Sequence, residues 1–374
     1  MDKIKITFLS AGPDMTLETS KYAALSKYFI GDIISSTSIK DLLHIKKVGE
    51  FNLFFIRYHW GRKQINFVKL MIFCIKYAFL CKIQNRCPKI VTTYDPLKTG
   101  FLGLLIAIVT GAKFVPEVNG VYNTVVKNLE KGLINSAKGR IFPVLQNIVL
   151  NRAAGIRLLF PQQIADVKLK KRVRIIKAFP CYVNVENFLN RTEFYEKEEI
   201  LFAGFPFWIK GVDILIAAFK KISDEFPSWN LKILGWYPDM TELNRHIGGH
   251  SRIIYHKPVL PNDMPEQICT CSIFVLPSRT EAMGRVLVEA MAAKKARIGA
   301  HVDGIPTVIN DGIDGLLFQK ESVDDLAEKM KLLMTNRELR MRLAEEGFKR
   351  VNQEFSKDRF ALNMFNFMSE IVRI

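Results

Sequence analysis

Apolar residues arrive in short runs along the first third of the chain, each followed by small or polar positions. Ile4–Leu9 (IKITFL) predicts a buried strand, and Ala11-Gly12-Pro13-Asp14 a turn before a helix from about Ser20 to Phe29. Ile30–Ile34, Phe51–Tyr58 and Ile90–Thr93 are further strands; after Tyr94-Asp95-Pro96 the run FLGLLIAIVTG predicts a helix and KFVPEV another strand. Short apolar runs alternating with helices predict a doubly wound parallel sheet. The residues just past each strand, Gly12, Tyr58, Asp95 and Asn119, then collect at the carboxyl edge, where ligands of such sheets bind.

The alternation breaks at RTEFYEKEE, Arg191–Glu199, dense in charge and poor in core residues, and restarts at ILFAG. The helix VDILIAAFKKIS, the strands LKILG and RIIYH, the helix NDMPEQIC and the strand SIFVLPS follow. After them come a helix within Arg279–Ala293, the strand ARIGA, the turn DGIDG, the strand LLF and helices to the end. The expectation is two Rossmann-type α/β domains, 1–190 and 200–355, joined by a linker at 191–199. A ligand cleft lies between them, and 356–374 forms a last helix.

Composition fits this picture. A chain of 374 residues, 49% hydrophobic and 24% charged, can bury two cores. Its six cysteines lack paired metal-ligand spacing and read as reduced thiols of a cytosolic protein. MDKIKITFLS lacks the longer apolar region of a signal peptide. INFVKLMIFCIKYAFLC, Ile65–Cys81, is interrupted by Lys69 and Lys76, so it is expected not to span a bilayer.

The net charge of +17 is unevenly placed. Residues 1–185 hold 29 Lys+Arg against 10 Asp+Glu, whereas residues 186–374 hold 25 against 27. Such asymmetry points to an anionic partner for the first half. No helix-turn-helix, zinc module or aromatic-basic platform is legible, so nucleic acid is not expected. A lipid surface is the alternative. Lys63, Lys69, Lys76 and Lys82 border aliphatic and aromatic residues, and Lys127, Lys131, Lys138 and Arg140 precede the apolar run FPVLQNIVL. Either segment reads as an interfacial helix or as a sheet-covering helix with a lysine-bearing outer side.

Two stretches carry chemistry. In RTEAMGRVLVEAMAA, Glu281 precedes the small-residue break Ala282-Met283-Gly284, and Glu289 follows in a helix packed through Val286, Leu287, Ala290 and Met291. Open amides at a helix start make an anion cradle. A carboxylate further along, about 12 Å away at about 1.5 Å per residue, suits the vicinal hydroxyls of a ribose. The plainer alternative is that Glu281 caps the helix and Glu289 is solvated. The second stretch, GFPFWIKG, Gly204–Gly211, follows a strand and offers Lys210 to a phosphate.

Taken in order, Gly204…Lys210-Gly211, Pro277-Ser278, Glu281 through Glu289 (an E-x7-E signature), Gly304-Ile305-Pro306, Asp311-Gly312 and Gly315-Leu316-Leu317 resemble the nucleotide-sugar domain of retaining glycosyltransferases of the GT-B fold, the large group called family 4. The likeness is strong over 200–318 and moderate over 88–124. It implies that Glu281 sits by the donor sugar, Glu289 holds the ribose and Lys210 contacts the diphosphate. Backbone at Ala282, Met283, Gly284 and Arg285 would meet the same diphosphate, with Val259 by the base and Gly204 and Gly12 beside the donor. Asn119 stands where the family commonly has a histidine, Phe205 where it has an arginine, and Asp303-Gly304 where two glycines are usual. Arg285 is the expected substitute for that arginine. Arg57, Tyr58 and Asp95 are the acceptor-side candidates, and the final helix, around Phe360–Val372, is expected to cross back to the first domain. His59, His256 and His301 read as structural, His301 with the better claim to touch the donor.

The implied activity moves a sugar from a nucleotide sugar to a saccharide, in cell-surface polysaccharide or glycoconjugate synthesis, with retention. The acceptor is expected to be lipid-linked and the enzyme peripheral on the cytoplasmic membrane face. No cofactor is implied, and the absence of D-x-D or a ligand cluster points away from a metal. The alternatives are a soluble or protein acceptor, or a sugar-nucleotide-binding protein that has lost catalysis.

Overall fold

The computed structural model of the chain describes residues 2–10, 19–121, 137–166, 169, 173, 175–189, 196–237 and 239–374. Two compact units emerge: Met1–Tyr182 together with Lys357–Ile374, and Val183–Ser356.

The first unit is built on β1 (Ile4–Leu9), β2 (Phe29–Thr37), β3 (Lys47–Val48), β4 (Phe51–Arg57), β5 (Ile90–Thr93), β6 (Lys113–Val118), β7 (Gly155–Leu158) and β8 (Ile175–Ala178). Their spatial order is β3-β4-β2-β1-β5-β6-β7-β8, parallel except that β3 runs against β4. Successive strand residues serve opposite faces. Ile4, Ile6, Phe8, Phe29, Ile33 and Ile90 pack with the Lys357–Arg373 helix through its Phe360, Met364, Phe367 and Ile371. Leu9, Ile34, Val91, Phe114 and Val118 pack beneath the helices Lys63–Ile83, Lys98–Thr110 and Ala137–Leu150.

Three local expectations change. The helix expected over Ser20–Phe29 covers Thr19–Leu25. Ser26 ends it by donating its hydroxyl to the Tyr22 carbonyl (2.7 Å) while accepting the Glu50 amide (3.0 Å), and β2 already begins at Phe29. β7 and β8 are additions to the sheet; Arg157 disguises the buried β7, whereas β8 is a partly exposed edge strand with Lys177 in the open. The Lys63–Ile83 helix runs 21 residues and is long and apolar enough to cross a membrane by length and composition. Its Leu70, Cys74, Tyr77, Ala78 and Cys81 are nevertheless buried, so one side belongs to the protein core.

The second unit holds β9 (Glu199–Ala203), β10 (Asn230–Leu234), β11 (Ile253–His256), β12 (Ile273–Leu276), β13 (Ala296–Ala300) and β14 (Leu316–Phe318). The order β11-β10-β9-β12-β13-β14 is parallel throughout. The division between units falls at Tyr182/Val183, ahead of the charged stretch, because Tyr182 is buried in the first core. Of the expected linker, 191–195 lie outside the described residues. Lys197 already bonds to the Thr270 carbonyl (2.9 Å) and Glu199 opens β9.

Candidate functional site

Two loops meet at the carboxyl edge of the second sheet. One follows β9, from Gly204 to Gly211; the other follows β12, from Pro277 to Gly284. They approach so closely that a Cβ on Gly211 would lie 2.0 Å from the Pro277 carbonyl oxygen, and Gly211 takes φ +66°. Glycine alone meets both demands. The Arg279 amide donates to the Ile209 carbonyl (2.9 Å). Its guanidinium grips both carboxylate oxygens of Asp213 (2.8 and 2.7 Å), donates to Glu321 (2.8 Å) and lies 3.7 Å from the Trp208 ring centre. A bidentate, ring-stacked arginine holds geometry that a lysine would not. Arg279 is thus a positioning residue that sequence reasoning left without a role; the Asp213 and Trp208 flanking Lys210-Gly211 were its only signal.

That clamp delivers Lys210 to Glu281. Lys210 Nζ is ion-paired with Glu281 Oε2, both side chains mostly buried, and Ser278 Oγ stands 3.4 Å from the same oxygen. The Lys210 stem runs beside Gly204, where an added Cβ would sit 3.4 Å from Lys210 Cγ and 3.0 Å from Phe202 Cζ. Glu281 therefore does not cap the following helix. Its own amide donates to Asp303 Oδ2 (3.0 Å), which also accepts from Thr280 Oγ1 (2.6 Å). Asp303 takes φ +43°, a left-handed conformation natural to glycine, and these two hydrogen bonds hold it there.

The helix itself is Arg285–Ala292, entered through Gly284 at φ +78°. In its first turn the Leu287 amide already donates to the Gly284 carbonyl (2.8 Å). Leu287, Val288, Ala290 and Met291 are buried, Val286 half so, and Met283 is buried at the entrance with Ala282 half-buried before it. The axial figure of about 12 Å is corrected here. Glu281–Gly284 is a bend, so only Arg285 to Glu289 advance along the axis, about 6 Å at about 1.5 Å per residue. Burial pushes the Glu289 carboxyl up to about 7, with Arg285 opposing the rise.

Around this centre, Phe205 (44% exposed) meets Trp236 (56% exposed) edge-to-face at 5.0 Å, so the position beside the strand glycine is aromatic rather than cationic. Val259 is half-buried past the end of β11. The exposed His301 lies just beyond β13, its amide donating to the Phe318 carbonyl (2.8 Å). Among the described residues no three His, Cys, Asp or Glu converge as metal ligands.

In the first unit, Asn119 is fully engaged. Its Nδ2 donates to the Tyr94 carbonyl (2.9 Å) and Glu117 (3.2 Å), and its Oδ1 accepts from Arg157 (3.1 Å). Arg157 is buried, ion-paired with Glu117, and stacked 4.6 Å from the Phe179 ring centre. Asp95 closes the start of the Lys98–Thr110 helix by accepting from the amides of Leu97 (2.8 Å) and Thr99 (3.3 Å) and from the Thr99 hydroxyl (2.6 Å). Arg57 is the exposed last residue of β4, and Tyr58 packs edge-to-face on Trp60 at 5.7 Å. Gly12 lies outside the described residues. The second unit thus brings Gly204, Lys210, Glu281, Ala282, Met283, Gly284 and Arg285 to one sheet edge, with Glu289 in the helix that starts there.

The sequence pattern of the glycosyl transferases group 1 family matches residues 159–350, just over half of the chain. The chain belongs to that family. It is 32% identical over 232 residues to an uncharacterised glycosyltransferase of Methanocaldococcus jannaschii, covering 60% of each chain. It is 28% identical over 181 residues to the N,N'-diacetylbacillosaminyl-diphospho-undecaprenol alpha-1,3-N-acetylgalactosaminyltransferase of Campylobacter jejuni, covering 47% of this chain and 46% of that one. The likeness thus spans only about half to three-fifths of these relatives' lengths. The solved sucrose-phosphate synthase of Thermosynechococcus elongatus superposes with a TM-score of 0.78 at 16% identity, covering 99% of this chain and 100% of that one. That likeness is one of fold. The chain is an α/β protein of GT-B class, with two Rossmann-like domains.

Proposed function

We propose that this protein transfers a sugar from a nucleoside-diphosphate sugar to a lipid-linked saccharide, with retention of anomeric configuration, in building cell-surface polysaccharide or glycoconjugate. The observation that carries the reading is the meeting of Lys210, Glu281 and the Gly284 helix entrance at one sheet edge, with Glu289 on the second helical turn. In this reading Lys210, Arg285 and the first-turn amides receive the diphosphate, where charge develops as the glycosidic bond breaks. Glu289 accepts from the ribose hydroxyls, Glu281 from the donor sugar, and Val259 lies by the base. Asn119, held by three partners of its own unit, is an amide and takes no proton in this reading. The bond from the sugar's anomeric carbon to phosphate breaks while the acceptor oxygen bonds the same face; the acceptor's proton passes to the departing phosphate oxygen. The name of the Campylobacter relative, which specifies a diphospho-undecaprenol acceptor, supports the lipid link. The reading calls for no cofactor beyond the donor.

Thermal-shift titration with UDP, GDP and ADP tests the donor site: one nucleotide raises the melting temperature and Arg285→Ala weakens it about ten-fold. Unchanged affinity in Arg285→Ala, beside a weakened Lys210→Ala, would end the idea that Arg285 replaces the missing arginine. Binding by wild type with neither transfer nor donor hydrolysis would favour the binding-protein alternative, which Phe205 and Asn119 also fit. The product anomer, read by NMR, decides retention.

The Glu289 carboxyl gives a pH signature. Raised by burial to about 7, it is protonated below that pH and then accepts poorly from hydroxyls. Sugar-nucleotide affinity is therefore expected to fall as pH drops through 7, by up to about ten-fold per unit. Glu289→Gln flattens the profile; a wild-type affinity flat from pH 8 to about 5.5 would remove Glu289 from the ribose.

A further inference from the structure

We propose that the outer side of the Lys63–Ile83 helix is a surface on which the protein lies against an anionic lipid bilayer. The inference rests on the first unit and does not depend on the transfer reading. A helix covering a sheet in a water-soluble unit turns its apolar stripe inward and polar residues outward. This helix is apolar on both sides. Leu70, Cys74, Tyr77 and Cys81 are buried in the core, while Ile65, Val68, Ile72, Ile75, Phe79 and Ile83 are exposed by 39 to 79%. Their spacing of three, four, three, four and four residues draws one continuous stripe along the opposite side. Trp60, 65% exposed, stands just before the helix. The neighbouring helices also expose apolar residues, Ile108 and Val144.

Charge selects the occupant. Lys69 and Lys76 share the exposed side with the stripe. The three helices on this face of the sheet, Lys63–Ile83, Lys98–Thr110 and Ala137–Leu150, contain seven Lys or Arg and no Asp or Glu. A second copy of the chain, brought on by a two-fold axis, would set these cationic helices against themselves with no acid on any of the three to answer them. Nucleic acid would satisfy the lysines and leave the isoleucines and phenylalanine in water. An anionic bilayer answers both: the stripe enters the boundary of the acyl region, and the lysine stems lie along it with their ammonium groups at the lipid phosphates. Because the inner side is core, the helix lies in the plane of the membrane.

Co-sedimentation of the full chain tests the proposal, using phosphatidylcholine vesicles with and without phosphatidylglycerol. At low salt the chain is expected to pellet with the anionic vesicles about ten-fold more than with neutral ones, and high salt narrows the gap. Ile72→Glu with Phe79→Glu abolishes pelleting with both, and Lys69→Gln with Lys76→Gln lowers the anionic case to the neutral level. All four side chains are exposed; should the glutamate pair misfold by circular dichroism, the glutamine pair decides. Equal pelleting with both vesicles, or glutamine variants that pellet like wild type, overturns the proposal. So does sedimentation velocity showing a wild-type dimer that the glutamate pair dissolves. The nucleotide-induced thermal shift, read on the same samples, is expected to persist in every variant. Its absence from wild type would count against the donor reading alone and leave the vesicle result to stand.

Discussion

Lys210→Ala is expected to lower kcat/KM for sugar transfer by about 10²–10³-fold, the range seen when one preorganised charge-stabilising group is removed from a dry site. Lys210 is placed for this by three constraints. Its stem runs beside Gly204, its loop is clamped by Arg279, and its amine is already paired with Glu281. In the free protein the Glu281 carboxylate holds the place that a diphosphate would take beside the amine. In the proposed reading, diphosphate binding exchanges one anionic partner of Lys210 for another and releases Glu281 toward neutral hydroxyls. The alanine variant removes the cation and leaves Glu281 repelling the incoming phosphates, so both affinity and turnover fall. Lys210→Arg, too bulky beside Phe202 and Gly204, recovers only part of the rate. A loss below about five-fold in Lys210→Ala would mean that the amides and Arg285 carry the diphosphate alone.

The second large effect concerns stability. Arg297 on β13 is fully buried and its guanidinium is pushed down to about 10 by burial, with Asp314 opposing. Asp314, itself buried, answers Arg297 through Oδ1 (2.9 Å) and Arg350 through Oδ2 (2.8 Å), and its Oδ1 also accepts the Asn310 amide (3.0 Å). The helix Arg337–Glu354 leaves room with Gly347, where a Cβ would come within 2.9 Å of Arg297 Nη2. Asp314→Ala strands one buried cation and is expected to cost about 3–5 kcal/mol. Replacing the pair by Asp314→Leu with Arg297→Met should cost far less, since no unanswered charge remains. Hydrogen exchange of the β13 and β14 amides reads both. Wild-type protection in Asp314→Ala would show that the backbone carbonyls of Val308 and residue 314 suffice for Arg297.

Strands whose burial needs only apolar side chains were legible in the sequence: IKITFL, IVTT, KFVPEV and ILFA all lie within observed strands. β7, which buries Arg157, was not, although ARIGA, which buries Arg297, was. Arg157 in β7 reads as surface until Glu117, forty residues earlier, is brought beside it. The first helix overran because Tyr28 and Phe29 continue an apolar rhythm that the Ser26 hydroxyl interrupts. At the site, the glycines and carboxylates stood out by spacing, but their reasons are tertiary. Gly211 answers to the Pro277 carbonyl, and Lys210 to a glutamate 71 residues away. Asp303 looked like a departure from a glycine pair. It tolerates a glycine-like backbone because Thr280 and Glu281 hold its carboxylate.

The last helix, Lys357–Arg373, closes the hydrophobic core of the unit that begins with β1. During synthesis that unit waits, one wall missing, while Val183–Ser356 is made and becomes free to fold as an uninterrupted segment. Ribosomal order and folding order are thereby reversed: the half translated first is completed last. A nascent chain stalled before Lys357 would still expose Ile6, Phe8 and Phe29 to chaperones.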